Sequence, residues 1–267
     1  TASYLSILFW SIIVGLALKK TASTQAIAIA GQLSRAVSLI VQWIIQLAPL
    51  GILGLVYASV SESGVGIFSS YGLLVLLLMG CMLTVLLVVN PLIVFCLLRR
   101  NPYPLLWTCI KGSAVSAFFT RSSAANIPVN MALCKRMGLC EDFYSVSIPL
   151  GSTINMDGAA VTITVMSLAA CHSMGVEVSP ASALALVILA TLGACGTSGV
   201  ASGSLLLVPM ACAPFGIGNE VAMQVVAIGF VISVVQDSME TALNSSSDVL
   251  FTATADLRSR EADSTGY

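Results

Sequence analysis

From Gly72 to Leu98 the chain carries no charged residue. As a helix rising 1.5 Å per residue, a run of that length reaches across the roughly 30 Å hydrocarbon core of a bilayer. This one feature removes most architectures. Inside lipid every backbone N–H and C=O must be satisfied by the chain itself, which leaves helices or a closed barrel. The apolar runs are continuous rather than alternating, so the expectation is an all-α polytopic membrane protein. Composition agrees: 57% of residues are hydrophobic and 9% charged, against about 25% charged in soluble domains.

A net charge of −1 gives no basis for binding nucleic acid. Cys81, Cys96, Cys109, Cys134, Cys140, Cys171, Cys195 and Cys212 form no CxxC pair and lie mostly in apolar stretches, where cysteine acts as a small hydrophobe. His172 is the sole histidine, so a catalytic metal lacks its usual ligands. No organic cofactor is expected.

The pattern predicts apolar segments over 4–18, ending at Lys19-Lys20, over 37–60 with a kink at Pro49-Leu50-Gly51, and over 72–98, ending at Arg99-Arg100. The chain opens at Thr1, without a Met, inside a hydrophobic pattern, and reads as lacking earlier helices. After residue 100 the pattern changes. A short helix over 103–119 runs into a polar tip, 120–126, and returns to about Met137. A spanning segment over 143–173 is interrupted at Asn155-Met156-Asp157-Gly158. The scheme then repeats: a short helix over 180–194, a Gly- and Ser-rich tip at 196–204, a return ending near Pro214, and a long helix over 220–254 followed by a polar, frayed tail. Short, Gly-interrupted segments at matching places in two halves point to a transporter binding site. Two ordinary re-entrant loops of a channel are the plainer reading. With Lys19-Lys20 in the cytoplasm, alternate threading puts every Lys and Arg except Arg121 on or near that side, as the positive-inside rule asks.

Arg121, Asp157, Asp237, Glu240 and Asp248 fall at membrane depth. Each costs about 2.5–3.5 kcal/mol there if unpaired, so they are expected to face a polar cavity, one another or bound ions. Asp237, Thr241, Asn244 and Asp248 are spaced i, i+4, i+7, i+11 on one helix stripe, with Glu240 at its edge. A carboxylate, a hydroxyl, an amide and a second carboxylate suit a zwitterion plus a cation. Helix-packing polar residues are the bland alternative. The broken segment adds the Asn155 and Asp157 oxygens, freed carbonyls, and Gly151 and Thr153 one turn earlier. An all-oxygen set of this kind fits a hard cation. Backbone N–H groups at the two tips suit a carboxylate.

Thr120-Arg121-Ser122-Ser123, the run from Pro149 to Gly158 with its Asn155-Met156-Asp157-Gly158 core, and Asp237-x-x-x-Thr241-x-x-Asn244-x-x-x-Asp248 resemble the dicarboxylate/amino acid:cation symporter family, to which glutamate transporters belong. Within it the chain is most similar to bacterial members that carry serine and threonine with sodium. The resemblance implies a glutamate-transporter-like fold with two re-entrant helical hairpins and a broken transmembrane helix. It implies homotrimers, elevator-type alternating access and a place in the bacterial inner membrane. It divides the chain into 1–100, part of the scaffold, 101–256, the transport core, and 257–267, a cytoplasmic tail. Asp237 is then expected to bind the substrate amino group, Thr241 and Asn244 to contact substrate, Asn244 with Ser122 and Ser123 to hold its carboxylate, and Gly199 and Val200 to close over it. Gly151, Asn155, Asn244 and Asp248 are expected to form one sodium site, Thr153 with the backbone from Ala194 to Thr197 a second, and Asn155 with Asp157 part of a third.

Two positions depart from the family members that carry acidic substrates. Glu240 stands where they have Arg, and Ala159 where they have Thr. A carboxylate there repels an acidic side chain, so a small neutral amino acid is the expected substrate. Glu240 either accepts a bond from a substrate hydroxyl, pairs with Arg121, or faces a water-filled crevice. Sodium-coupled symport is the favoured activity; a neutral amino-acid exchanger and an ion channel are the alternatives. An enzyme is not expected, because Ser122, Ser123 and Asp237 have no histidine base beside them.

Overall fold

Helices form most of the described residues, with no strand among them. The structure, a computed structural model, describes residues 4–46, 50, 53–54, 57, 61, 67–197 and 202–265. It divides into two units, Thr1–Leu55 and Val56–Tyr267.

The first unit contains α1 (Tyr4–Thr21) and α2 (Thr24–Gln46). Lys19 and Lys20 occupy the last turn of α1, where the helix dipole favours positive charge. Ser23 accepts from the Ala26 amide (3.2 Å) and so caps the start of α2. Leu16, Ile27, Leu33 and Trp43 point outward, which suits lipid rather than water. Pro49 and Gly51, where the sequence predicts a kink, lie outside the described residues.

The second unit opens with α3 (Ile67–Thr84), a π turn (Val85–Val89) and α4 (Asn90–Leu98). Pro91 has no N–H to offer the Leu87 carbonyl one turn back. The Tyr103 hydroxyl donates to that carbonyl instead (3.3 Å). A first helical pair follows: α5 (Tyr103–Cys109), a second π turn (Ile110–Ala114) and α6 (Val115–Thr120) run out, and α7 (Ser123–Arg136) runs back. Its tip is shorter than the sequence suggests. Arg121, left-handed at φ 50°, ends the outward arm, and Ser122 caps the return by accepting from Ala125 N (3.2 Å).

Next come α8 (Glu141–Ile154) and α9 (Asp157–Ser173). Asn155 (φ −87°, ψ 77°) and Met156 (φ −120°, ψ 48°) break the helix between them, at the place the sequence predicts. A second helical pair follows: α10 (Pro180–Ala194), then α11 (Val208–Cys212) flanked by 3-10 turns. The chain ends in α12 (Asn219–Thr265), 47 residues long.

That last helix corrects the reading of the C-terminus. It does not stop near Thr254 in a frayed tail. Arg258 donates to the Leu97 carbonyl (2.6 Å) and Arg260 to the Gly138 carbonyl (2.8 Å), and Arg260 pairs with Asp256 (2.7 Å). Basic side chains thus occupy carbonyls left free where α4 and α7 finish, and these contacts hold the helix in place.

Gly72–Leu98, Glu141–Ser173 and Asn219–Glu261 are long and apolar enough to cross a membrane. Burial runs opposite to that of a soluble protein. On α12 Met223, Val234 and Val235 are exposed, while Gln236, Asp237, Glu240, Thr241, Asn244 and the run from Ser245 to Asp248 are buried. Oil outside and polar groups inside is what a bilayer imposes. Apolar layers seal the polar stripe. Leu106, Leu133, Ile148 and Leu250 pack together toward one end, and Leu78, Met166, Leu205 and Val226 toward the other.

Candidate functional site

Glycines let α12 come close to the broken helix. A Cβ at Gly151 would overlap the Asp248 carboxylate, and one at Gly158 would stand 2.8 Å from the Glu240 carbonyl and 3.0 Å from Asn244 Oδ1. Backbone and carboxylate can touch there only because neither residue has a side chain. The contacts follow from this approach. The Gly158 amide donates to Asn244 Oδ1 (2.7 Å). Asn155 Nδ2 donates to the Asn244 carbonyl (3.0 Å) and to Ser247 Oγ (2.7 Å).

The structure therefore gathers Gly151, Asn155, Asn244 and Asp248, the four residues expected around one cation. Asp248 is buried, and its Oδ2 accepts no hydrogen bond. Asp157 lies close by. Its Oδ1 accepts from the Gly158 amide and Ser247 Oγ (each 3.1 Å), and its Oδ2 from Asn90 Nδ2 (3.0 Å). Asp157 and Asp248 also act on each other electrostatically.

Asp237 sits three turns toward the N-terminus of the same helix. Its Oδ1 accepts from the Ser202 amide (2.9 Å), and its Oδ2 is buried with no partner. The charge of Arg121, at the tip of the first helical pair, acts on this carboxylate. Ser123 is buried at the start of α7. Ser122 and Thr241 hydroxyls are already engaged, Ser122 as the cap of α7 and Thr241 as a donor to the Asp237 carbonyl (2.8 Å). Asn244 also has partners within the chain. Its oxygen takes the Gly158 amide and its nitrogen points to Met156 Sδ (3.4 Å), so it ties the helix break shut. Thr153 and Thr197 donate to carbonyls three residues back, at 2.7 and 2.8 Å. Gly199 and Val200 lie outside the described residues.

Glu240 is held by donors from within the chain. It is buried, and its Oε2 receives Thr162 Oγ1 (2.6 Å), Ser204 Oγ (2.8 Å) and Gln236 Nε2 (2.5 Å). No ion pair joins it to Arg121 among the described residues. Instead it fastens Ser204, at the end of the second tip, to α9 and α12. Ala159 is fully buried nearby.

A further polar cluster underlies the first tip. Asn126 Nδ2 donates to Ser245 Oγ (2.7 Å) and Asn130 Oδ1 (3.1 Å), and Ser113 Oγ donates to Asn130 Oδ1 (2.6 Å). Sequence reasoning missed this cluster together with Asn90, Thr162, Ser204, Gln236 and Ser247. A lone Asn beside Pro91 in an apolar run, and Asn126 with Asn130 one turn apart, were the available signals.

The sequence profile described as the sodium:dicarboxylate symporter family matches residues 1–257. The chain belongs to that family. Among its relatives, the Serine/threonine transporter SstT of Bifidobacterium adolescentis is 56% identical over 254 residues, 95% of this chain and 59% of that protein. The protein of the same name from Streptococcus agalactiae serotype Ia is 57% identical over 255 residues, 96% of this chain and 63% of the relative. The chain thus spans about three fifths of the length of these curated relatives. Membership in the sodium:dicarboxylate symporter family, together with the three candidate spans among the described residues, makes it a multi-pass membrane protein.

Proposed function

We propose that the protein is a sodium-coupled symporter of small neutral amino acids, serine and threonine first. The observation that carries this reading is a pair of buried carboxylate oxygens without partners, Asp237 Oδ2 and Asp248 Oδ2, on one face of α12. A buried carboxylate left unpaired is expensive, so each calls for a cation. Asp237, beside the two tips, suits a substrate ammonium. Asp248, over the Gly151 backbone and among amide and carbonyl oxygens, suits sodium, a hard cation. The names of the relatives support the choice of substrate. So does Glu240: where acidic-substrate members place Arg, this chain places a carboxylate whose Oε2 takes three internal donors, leaving an acidic side chain without a clamp.

On this reading the two helical pairs are re-entrant hairpins. The core from residue 101 to 256 moves as an elevator within a homotrimer, against a scaffold that includes residues 1–100. The Thr153 and Thr197 regions contribute to a second sodium site, and Asn155 with Asp157 to a third. Gly199 and Val200 close over the substrate.

The deciding experiment is radiolabelled serine uptake into proteoliposomes. Serine concentrated above equilibrium under an inward sodium gradient, and not without one, is the expected result. Counterflow independent of sodium would instead establish an exchanger, and passive current alone a channel.

A further inference from the structure

Asn90 is the only amide side chain between Gly72 and Leu98, and it is 3% exposed among lipid-facing neighbours such as Val88 and Leu92. Its placement is built. The π turn Val85–Val89 inserts an extra residue just before it, Pro91 follows it, and Tyr103 repairs the carbonyl that Pro91 leaves open. The widened turn brings Asn90 to Asp157, where Nδ2 meets Oδ2 at 3.0 Å.

The other Asp157 oxygen is held by the Gly158 amide and by Ser247 Oγ (each 3.1 Å), and Ser247 Oγ in turn accepts from Asn155 (2.7 Å). One carboxylate is thus gripped from three spans at the break in the middle one. For packing alone, apolar side chains would join these helices at lower cost.

We propose that Asn90 is a positioning residue for the coupling cation. It fixes the Asp157 carboxylate in the orientation from which that group and the Asn155 amide oxygen serve sodium. This rests on the symport reading above. It adds to that reading a residue from a span that otherwise carries no polar site group.

The test is serine binding to the purified protein as a function of sodium concentration, in wild type, Asn90→Ala and Asn90→Ser. The serine side chain keeps a hydroxyl in the span but is too short to reach Asp157. Loss of a group that orients a metal ligand weakens metal binding by about tenfold or more. The sodium concentration for half-maximal serine binding is therefore expected to rise about tenfold in both variants. Serine affinity at saturating sodium should stay within about twofold of wild type. A bond serving packing alone would lower the folded yield without moving the sodium midpoint. A folded variant of either kind with the wild-type midpoint overturns the proposal. Wild-type protein whose serine binding ignores sodium overturns the symport reading and this inference with it.

Discussion

At the scale of single residues, the two carboxylates with unpartnered oxygens divide the work by what surrounds them. Asp237 holds the Ser202 amide through one oxygen, and the other is buried without a partner, the place the proposal gives to an ammonium. Asp237→Asn keeps the shape and removes the charge. Serine affinity is expected to fall by about 2–5 kcal/mol, as for a buried charge pair deprived of one partner, with Arg121 moderating the loss. Equilibrium binding at saturating sodium measures it, and near-normal affinity would take Asp237 out of the site. Asp248 faces the Gly151 backbone instead. Asp248→Asn is expected to leave an inserted, folded protein whose serine binding needs far more sodium. Sodium titration of serine binding reads this directly, and an unchanged midpoint would remove Asp248 from the cation site. The surroundings of Glu240 are the least legible from sequence. Its position on the stripe's edge was legible. The donors to its Oε2 come from α9, from the end of the second tip and from its own helix, and no spacing along one chain reveals such a meeting.

At the scale of elements, the broken helix and α12 fit because glycine stands at each close contact. Gly151→Ala is expected to push the Asp248 carboxylate aside, lower stability by about 1–3 kcal/mol and raise the sodium needed for thermal protection. Melting curves with and without sodium separate those effects. A variant with wild-type melting in both conditions would show that α8 and α12 can part without cost. The same elements show what a sequence displays and what it hides. Hydropathy exposes Gly72–Leu98, Asn155 to Gly158 interrupts a helix visibly, and the stripe from Asp237 to Asp248 follows from 3.6-residue periodicity. The π turns at Val85–Val89 and Ile110–Ala114 rotate the residues within and beyond them by an amount that periodicity does not register. Asn90 and Ser113 therefore turn inward unannounced. The end of α12 was misjudged for a related reason. Polar residues after Asp256 read as a tail until the free carbonyls of Leu97 and Gly138 appear beside Arg258 and Arg260.

At the scale of the whole molecule, the described residues bury Asp237, Glu240 and Asp248 and half-bury Asp157, with Arg121 as the basic group acting on Asp237. On the proposed reading this surplus of carboxylates makes transport of a neutral zwitterion depend on cations that arrive with it. A sodium ionophore is therefore expected to abolish serine accumulation in proteoliposomes already loaded, and the measured signal is efflux of labelled serine. Retention of the gradient after sodium equilibrates would contradict coupling. One further consequence belongs to α12. At 47 residues it is about 70 Å long, more than twice the thickness of the oil it crosses. The same stiff rod that carries Asp237 and Asp248 must therefore stand clear of the bilayer at one end, near Ser259 to Thr265. That end is a handle: on the proposed elevator reading, an antibody fragment clamped on it would restrain how far the stripe can travel, and a fluorophore there would report each stroke from outside the membrane.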